Sequence, residues 1–233
     1  MNIKDFQLER SVFEFRYSQS YLHWDRAGVL WHAALSKWPK LKRTRGEPNI
    51  TSFMLENDYE ISVMVDKTNI ICYYPKSNLA DFIEKAHYFL GSVTRQLEIE
   101  QFTRVGLRMF YFKSYPDEQS ASADMLGAKL LNLPDGPHFG LDGSFTYPEL
   151  AARWEGRAAG VTVRLRSEGR KIDFDPPHGI GELQSVHEEK FGLVCDLDYY
   201  TKGTVTTGQF RTQDWINQVL HMIRRDSHKF LGG

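Results

Sequence analysis

Cysteine is scarce: only Cys72 and Cys195 stand in 233 residues, each inside an apolar, strand-like run. Two distant thiols in such settings argue against a disulfide-stapled secreted scaffold and are expected to be reduced core residues. Long apolar runs are missing, and nothing approaches the ~20 residues that a membrane-crossing helix needs. Met1 to Arg10 is charged and has no apolar centre, so no signal peptide is expected and the chain is placed in the cytoplasm. Charge of one sign is missing as well. The 29 Lys and Arg against 30 Asp and Glu leave a net charge of −1, which argues against nucleic acid as a partner of the whole surface. Catalytic motifs are absent. No Gly-rich phosphate loop carries Lys and Ser/Thr, and Gly179-Ile180-Gly181 lacks the third glycine of a dinucleotide loop. There is no Gly-x-Ser-x-Gly elbow, no His-Glu-x-x-His and no Cys-x-x-Cys. No cofactor or structural metal is therefore expected. The balance leans away from an enzyme, although a site assembled from distant residues leaves no such trace.

What is present is an ordinary globular composition, 41% hydrophobic and 25% charged, with 13% aromatics. A chain of this length buries a large core unaided, and residues 1–233 read as one compact unit. Ser11–Tyr17 alternates in period two and predicts a strand. Ser20–Trp38 predicts a helix with a stripe of Tyr21, Trp24, Gly28, Trp31, Leu35 and Trp38, stopped by Pro39. Strands are expected at Asn49–Glu56, Tyr59–Asp66 and Asn69–Tyr74. The last two form a hairpin turning at Lys67-Thr68, with Val65 opposite Ile70 and Val63 opposite Cys72. A helix starting near Ser77 or Asn78 carries Phe82, Ala86, Phe89, Leu90, Val93 and Leu97 on one stripe.

Gln101–Tyr115 predicts a long strand with Arg104, Gly106, Arg108 and Phe110 on one face and Val105, Leu107, Met109 and Tyr111 on the other. A helix over Ser120–Leu131 and a loop over Leu133–Gly143 come next. Strands follow at Tyr147–Glu155, Val161–Ser167 and Lys171–Asp175. The last two read as a hairpin turning at Glu168-Gly169, which sets Arg164 opposite Asp173, Leu165 opposite Ile172 and Val163 opposite Phe174. Pro176–Lys190 reads as a polar loop, Phe191–Tyr200 as a strand and Thr212–Leu231 as a closing helix. Both halves, 10–100 and 101–233, run strand, helix, three strands, helix, with an extra strand late in the second. The pattern predicts an α+β fold of two similar lobes, mostly antiparallel sheet with helices on one face.

The run Arg104-Val105-Gly106-Leu107-Arg108-Met109-Phe110 resembles the Gly-Leu-Arg-Tyr core of a sporadically distributed bacterial family of similar length. Phe13-Glu14-Phe15-Arg16 and Leu193-Val194-Cys195-Asp196-Leu197-Asp198, ahead of a closing amphipathic helix, fit the same family, although Met109 stands where it more often has Tyr. The resemblance implies a bacterial cytoplasmic protein and carries over no catalytic residue. The family's scattered distribution suggests, by analogy, a mobile defence or toxin-related setting.

Several residues are candidates for a site. Asp173 and Asp175 alternate on one strand, Asp196 and Asp198 on another; side by side, the four carboxylates would hold Mg²⁺ or Mn²⁺ for a metal-dependent hydrolase or nuclease. Paired with basic neighbours, as Asp173 with Arg164, they would be structural. Arg104 and Arg108 flank Gly106 on one face, leaving room for a phosphate or nucleotide; alternatively they pair with Asp196 or Asp198. Arg108 in particular is expected to be buried against one of these aspartates. His178, His187, Glu188 and Glu189 share the polar loop but lack ligand spacing. His23, Asp25 and His32 lie on or near the first helix, and His23 and His32, nine apart, do not make a same-face pair. Trp24, Trp31 and Trp38 recur every seven residues and are expected to pack rather than stack on bases. The leading expectation is a non-enzymatic binding or interaction module with a protein partner or a second copy of itself.

Overall fold

Strict alternation starts the fold. In β1 (Gln7–Arg16), Ser11, Phe13 and Phe15 point to one side and are buried, while Val12 and Glu14 point to the other and are half-exposed. This is the period of a strand with one face on a core. The structure, a computed structural model, describes residues 1–56, 58–75, 79–128, 130, 148–174 and 186–231, with the backbone alone for 172–174 and 186–188. After β1 come α1 (Leu22–Lys37), β2 (Lys42–Glu47), β3 (Ile50–Leu55), β4 (Tyr59–Met64), β5 (Lys67–Tyr73) and α2 (Ala80–Gln96). The second half holds β6 (Gln101–Phe102), β7 (Arg104–Tyr115), α3 (Glu118–Gly127), β8 (Glu149–Glu155), β9 (Ala159–Phe174), β10 (Val186–Thr201), β11 (Val205–Thr206) and α4 (Thr212–Phe230). The class is α+β.

Nine strands make one antiparallel sheet in the order β2-β3-β4-β5-β1-β7-β10-β9-β8, and β6 pairs β11 in a small second sheet. Both halves of the chain therefore contribute to a single sheet, with β1 and β7 side by side at its middle. The four α-helices of the described residues lie on one side of it. The His23 ring of α1 lies 3.1 Å from the Val63 carbonyl, and Trp31 packs on Phe53 at 5.5 Å. From α2, Phe82, Ala86, Phe89, Leu90 and Val93 are buried, as the sequence stripe predicts. The Ser122 hydroxyl of α3 donates to Ser167 on β9. From α4, Ile216, Val219, Leu220 and Ile223 are buried and Trp215 meets Phe13. Each fully buried aliphatic or aromatic side chain of this layer contributes about 1.5–3 kcal/mol. Among the described residues, no helix is long and apolar enough to cross a membrane.

Several expectations are corrected. No hairpin turns at Glu168-Gly169. β9 runs unbroken through both residues and pairs β10 along its whole length, with Gly169 opposite Phe191. Arg164 consequently faces Asp196, and Asp173 faces His187. The Pro176–Lys190 loop is likewise strand from Val186 onward. The β4–β5 turn falls at Val65–Asp66, so Ile70 faces Ile61, Thr68 faces Val63 and Cys72 faces Tyr59. That slip is even, which keeps every side chain on its expected face. β2 was not foreseen; its residues are all exposed and it forms one edge of the sheet. The buried residues of α1 are His23, Leu30 and Ala34. Trp31 and Trp38 flank that stripe and pack, Trp38 stacking on Phe89, but Trp24 is half-exposed beside Tyr21. Leu133–Gly143, Ser77, Asn78, Asp175 and His178 lie outside the described residues.

Candidate functional site

The sheet face opposite the helices is built from the second set of alternating positions, and antiparallel register sets these side chains in rows. One row crosses the sheet as Tyr73, Arg10, Phe110, Asp196, Arg164 and Ala151. The next reads Ile71, Val12, Arg108, Asp198, Thr162 and Arg153. A third reads Asn69, Glu14, Gly106, Tyr200, Gly160 and Glu155. Charges thus stand at the centre of a nine-stranded sheet, where each must be met by a partner.

Arg108 and Arg104 are met diagonally between rows and Arg164 directly across within its own row, while Arg10 lies over an aromatic ring. Asp196 is fully buried. Arg108 donates to it from Nε at 2.7 Å and from Nη2 at 2.5 Å, and Arg164 donates from Nη1 at 3.3 Å. The Asp196 carboxylate holds the Arg108 guanidinium above the usual arginine range. Arg108 is itself 41% exposed, so the expected pair is present while the buried member is the aspartate. Arg104 donates from Nη2 to both oxygens of Asp198 at 2.8 and 2.9 Å, and from Nη1 to Glu14 at 2.6 Å. Its guanidinium also faces the Tyr200 ring at 4.9 Å. A Cβ on Gly106 would fall 2.6 Å from Arg104 Nη1. The room that Gly106 leaves is therefore filled by the protein's own Arg104, and of the two alternatives for Arg104 and Arg108 the structure shows the pairing with Asp198 and Asp196. Further along, Arg170 bridges Glu9 and Glu168, and Arg166 also binds Glu168.

Asp173 does not converge with Asp196 and Asp198, and Asp175 lies outside the described residues. Asp173 lies nine residues beyond Arg164, the residue that faces Asp196, a separation of roughly 30 Å along the strand. Asp196 and Asp198 are occupied by guanidinium groups. Among the described residues, no group of three or more His, Cys, Asp or Glu is placed to hold a metal ion. His187, Glu188 and Glu189 lie in β10 rather than in a loop, and Glu189 pairs with Lys171 at 2.8 Å. His23 is buried while Asp25 and His32 are exposed, so they share no site. Cys72 and Cys195 are buried free thiols.

Sequence reasoning missed Arg10. Its signal was available, because Arg10, Val12, Glu14 and Arg16 continue one period-two face of β1. Arg10 lies 3.9 Å over the Phe110 ring, and Arg108 lies 4.6 Å from the same ring. Arg10 Nε is shielded from solvent and has no hydrogen-bond partner. No family model matches the chain, and no curated protein matches it.

Proposed function

We propose that the protein is a non-enzymatic binding module and that the face of its sheet opposite the described helices is the surface with which it holds a protein partner. The observation that carries this reading is the charge pattern at the middle of the face: Arg108 and Arg164 both bind Asp196, and Arg10 stands over the adjoining Phe110 ring without a carboxylate of its own. Arginine and aromatic side chains are the groups that most often anchor protein interfaces. A surplus of cations in the middle of such a face is complementary to an acidic surface on the partner. The carboxylates of the face further support a binding role. Asp196, Asp198 and Glu14 are each engaged by arginine, and a carboxylate held in a guanidinium fork is a poor general base.

The test is position-resolved. A photo-crosslinking residue is placed at Ala151 or Met64 on the open face, and at Trp24 or Val29 on the helix layer. A partner captured from Ala151 and Met64, and released when Arg166→Glu reverses one charge of the face, supports the reading. The identified partner, purified, should then bind the wild type more tightly than Arg166→Glu at low salt, with the difference shrinking as salt rises. Capture from the helix layer alone overturns it, as does a Mg²⁺- or Mn²⁺-dependent nuclease activity that Asp196→Asn abolishes in a folded protein.

A further inference from the structure

We propose that Arg10, Phe110 and Arg108 form a subsite for a phosphoryl dianion, the group carried by inorganic phosphate and by phosphorylated side chains. The proposal rests on reading the open face as a binding surface and names the chemistry recognised there.

Arg10 is the one member of the arginine cluster that has no carboxylate. Among the described residues it makes no ion pair, and the neighbouring acids are committed elsewhere. Glu9 is held by Arg170. Glu60 accepts from the Tyr73 hydroxyl at 2.9 Å. Glu14 is shared by Arg104 and Arg16. Asp196 is shared by Arg108 and Arg164. Glu60 keeps its negative charge, because its partner is a neutral hydroxyl, so Arg10, Arg108 and Arg164 set three positive charges against the two of Asp196 and Glu60 and leave one in excess on this part of the face.

The geometry narrows the occupant. The Arg10 and Arg108 guanidiniums both lie against one aromatic ring, so they stand no further apart than the sum of their two distances to it. Cation–π attraction to the ring offsets part of their mutual repulsion. Arg108 spends Nε and Nη2 on Asp196, which leaves Nη1 for a ligand. Arg10 Nε is closed off from solvent and so from a ligand, which leaves its two terminal nitrogens, Nη1 and Nη2, as the donors it presents. A carboxylate offers two oxygens in one plane and fills one fork. A phosphoryl group offers three oxygens in different directions and carries a charge of about −1.5 to −2 at neutral pH, so it can meet both donor sets at once and is drawn by the positive excess.

The experiment is a titration at constant low ionic strength, followed by NMR of the arginine Nε–H and Phe110 ring signals. The probes are inorganic phosphate, phosphoserine and acetate. The expected result is saturable binding of phosphate that shifts the Arg10 and Arg108 signals first, with acetate at least tenfold weaker. Arg10→Gln should weaken phosphate at least tenfold, Arg10→Lys nearly as much because it lacks the fork, and Arg153→Gln not at all. Phosphoserine binding markedly tighter than free phosphate assigns the group to a phosphorylated partner; equal affinities assign it to a small phosphate. Non-saturable shifts, shifts spread over all surface arginines, or full affinity in a folded Arg10→Gln overturn the subsite. The wild-type signals decide the matter even where a variant unfolds. If the subsite alone fails, crosslinking from Ala151 and Met64 persists; if the open-face reading fails, it does not.

Discussion

Replacing Arg108 by leucine isolates what a paired charge contributes at the centre of this sheet. Arg108→Leu removes two charge-assisted hydrogen bonds, at 2.7 and 2.5 Å, from a carboxylate with no exposure of its own. Full orphaning of a buried partner costs about 3–5 kcal/mol. Here Arg164 remains on Asp196 at 3.3 Å, and the lost guanidinium was 41% exposed, so it had kept part of its hydration. The expected cost falls to about 2–3 kcal/mol. Asp196→Leu should cost less, about 1–2 kcal/mol, because Arg108 and Arg164 can both turn to water. The double variant should be more stable than the sum of the two losses by at least about 1 kcal/mol. Urea unfolding of all four proteins, with unchanged m-values, gives the cycle. If the two losses add without coupling, Arg108 and Asp196 do not act as a pair and the account of the open face is wrong.

Gly106→Ala should push the Arg104 guanidinium off Glu14 and Asp198 at a cost of about 1–2 kcal/mol; in an Arg104→Ala background the same change should be nearly neutral, and the two urea midpoints check this. Burial lowers the pKa of His23 from its ordinary 6.5, so the folded protein favours the neutral ring while the unfolded chain takes up a proton near 6.5. Stability is then complete above about pH 6.5 and falls as pH drops from there toward the folded value; His23→Gln should flatten that slope, as read from melting temperatures between pH 5 and 8. Burial pushes the Cys195 thiol up to about 12 and also raises that of Cys72, so neither should react with a thiol reagent at pH 8 faster than the protein unfolds. Labelling of the native protein within minutes would contradict that placement.

Much of the fold can be read from periodicity, and the failures share one cause. The stripe of α2 and the two faces of β7 are set by local sequence, because a helix or strand with one wet side must alternate in its own period. Partner choice is not local. Arg164 is as well satisfied by Asp196 as by Asp173, and Gly169 fits a straight strand packed under Phe191 as well as it fits a turn. The period-two pattern is the same in both cases, so the tempting hairpin and the real β9–β10 pair are indistinguishable without the third dimension. β2, with the sequence Lys-Arg-Thr-Arg-Gly-Glu, has no apolar side to announce it; charge at an edge strand discourages further pairing instead. In the site, the link between Arg108 and Asp196 is legible because both interrupt apolar runs. The identity of the group filling the space over Gly106 is not, since that depends on which way Arg104 leans.

One seam has consequences for how the chain is made. Among the described residues, every strand of the sheet before residue 74 lies on one side of it and every strand after residue 103 on the other, and β1 against β7 is the strand pairing that joins them. Glu14 and Arg104, which meet across that seam, are 90 residues apart. At a synthesis rate of ~5–20 residues per second, β1 waits roughly 5–20 seconds for its neighbour to be made. During that interval its outer backbone groups are an unpaired edge beside a half-built core. Late, long-range closure of this kind slows folding. It also opens a route to swapping: on a crowded polysome, the β7 that arrives first at a given β1 can belong to the neighbouring nascent chain.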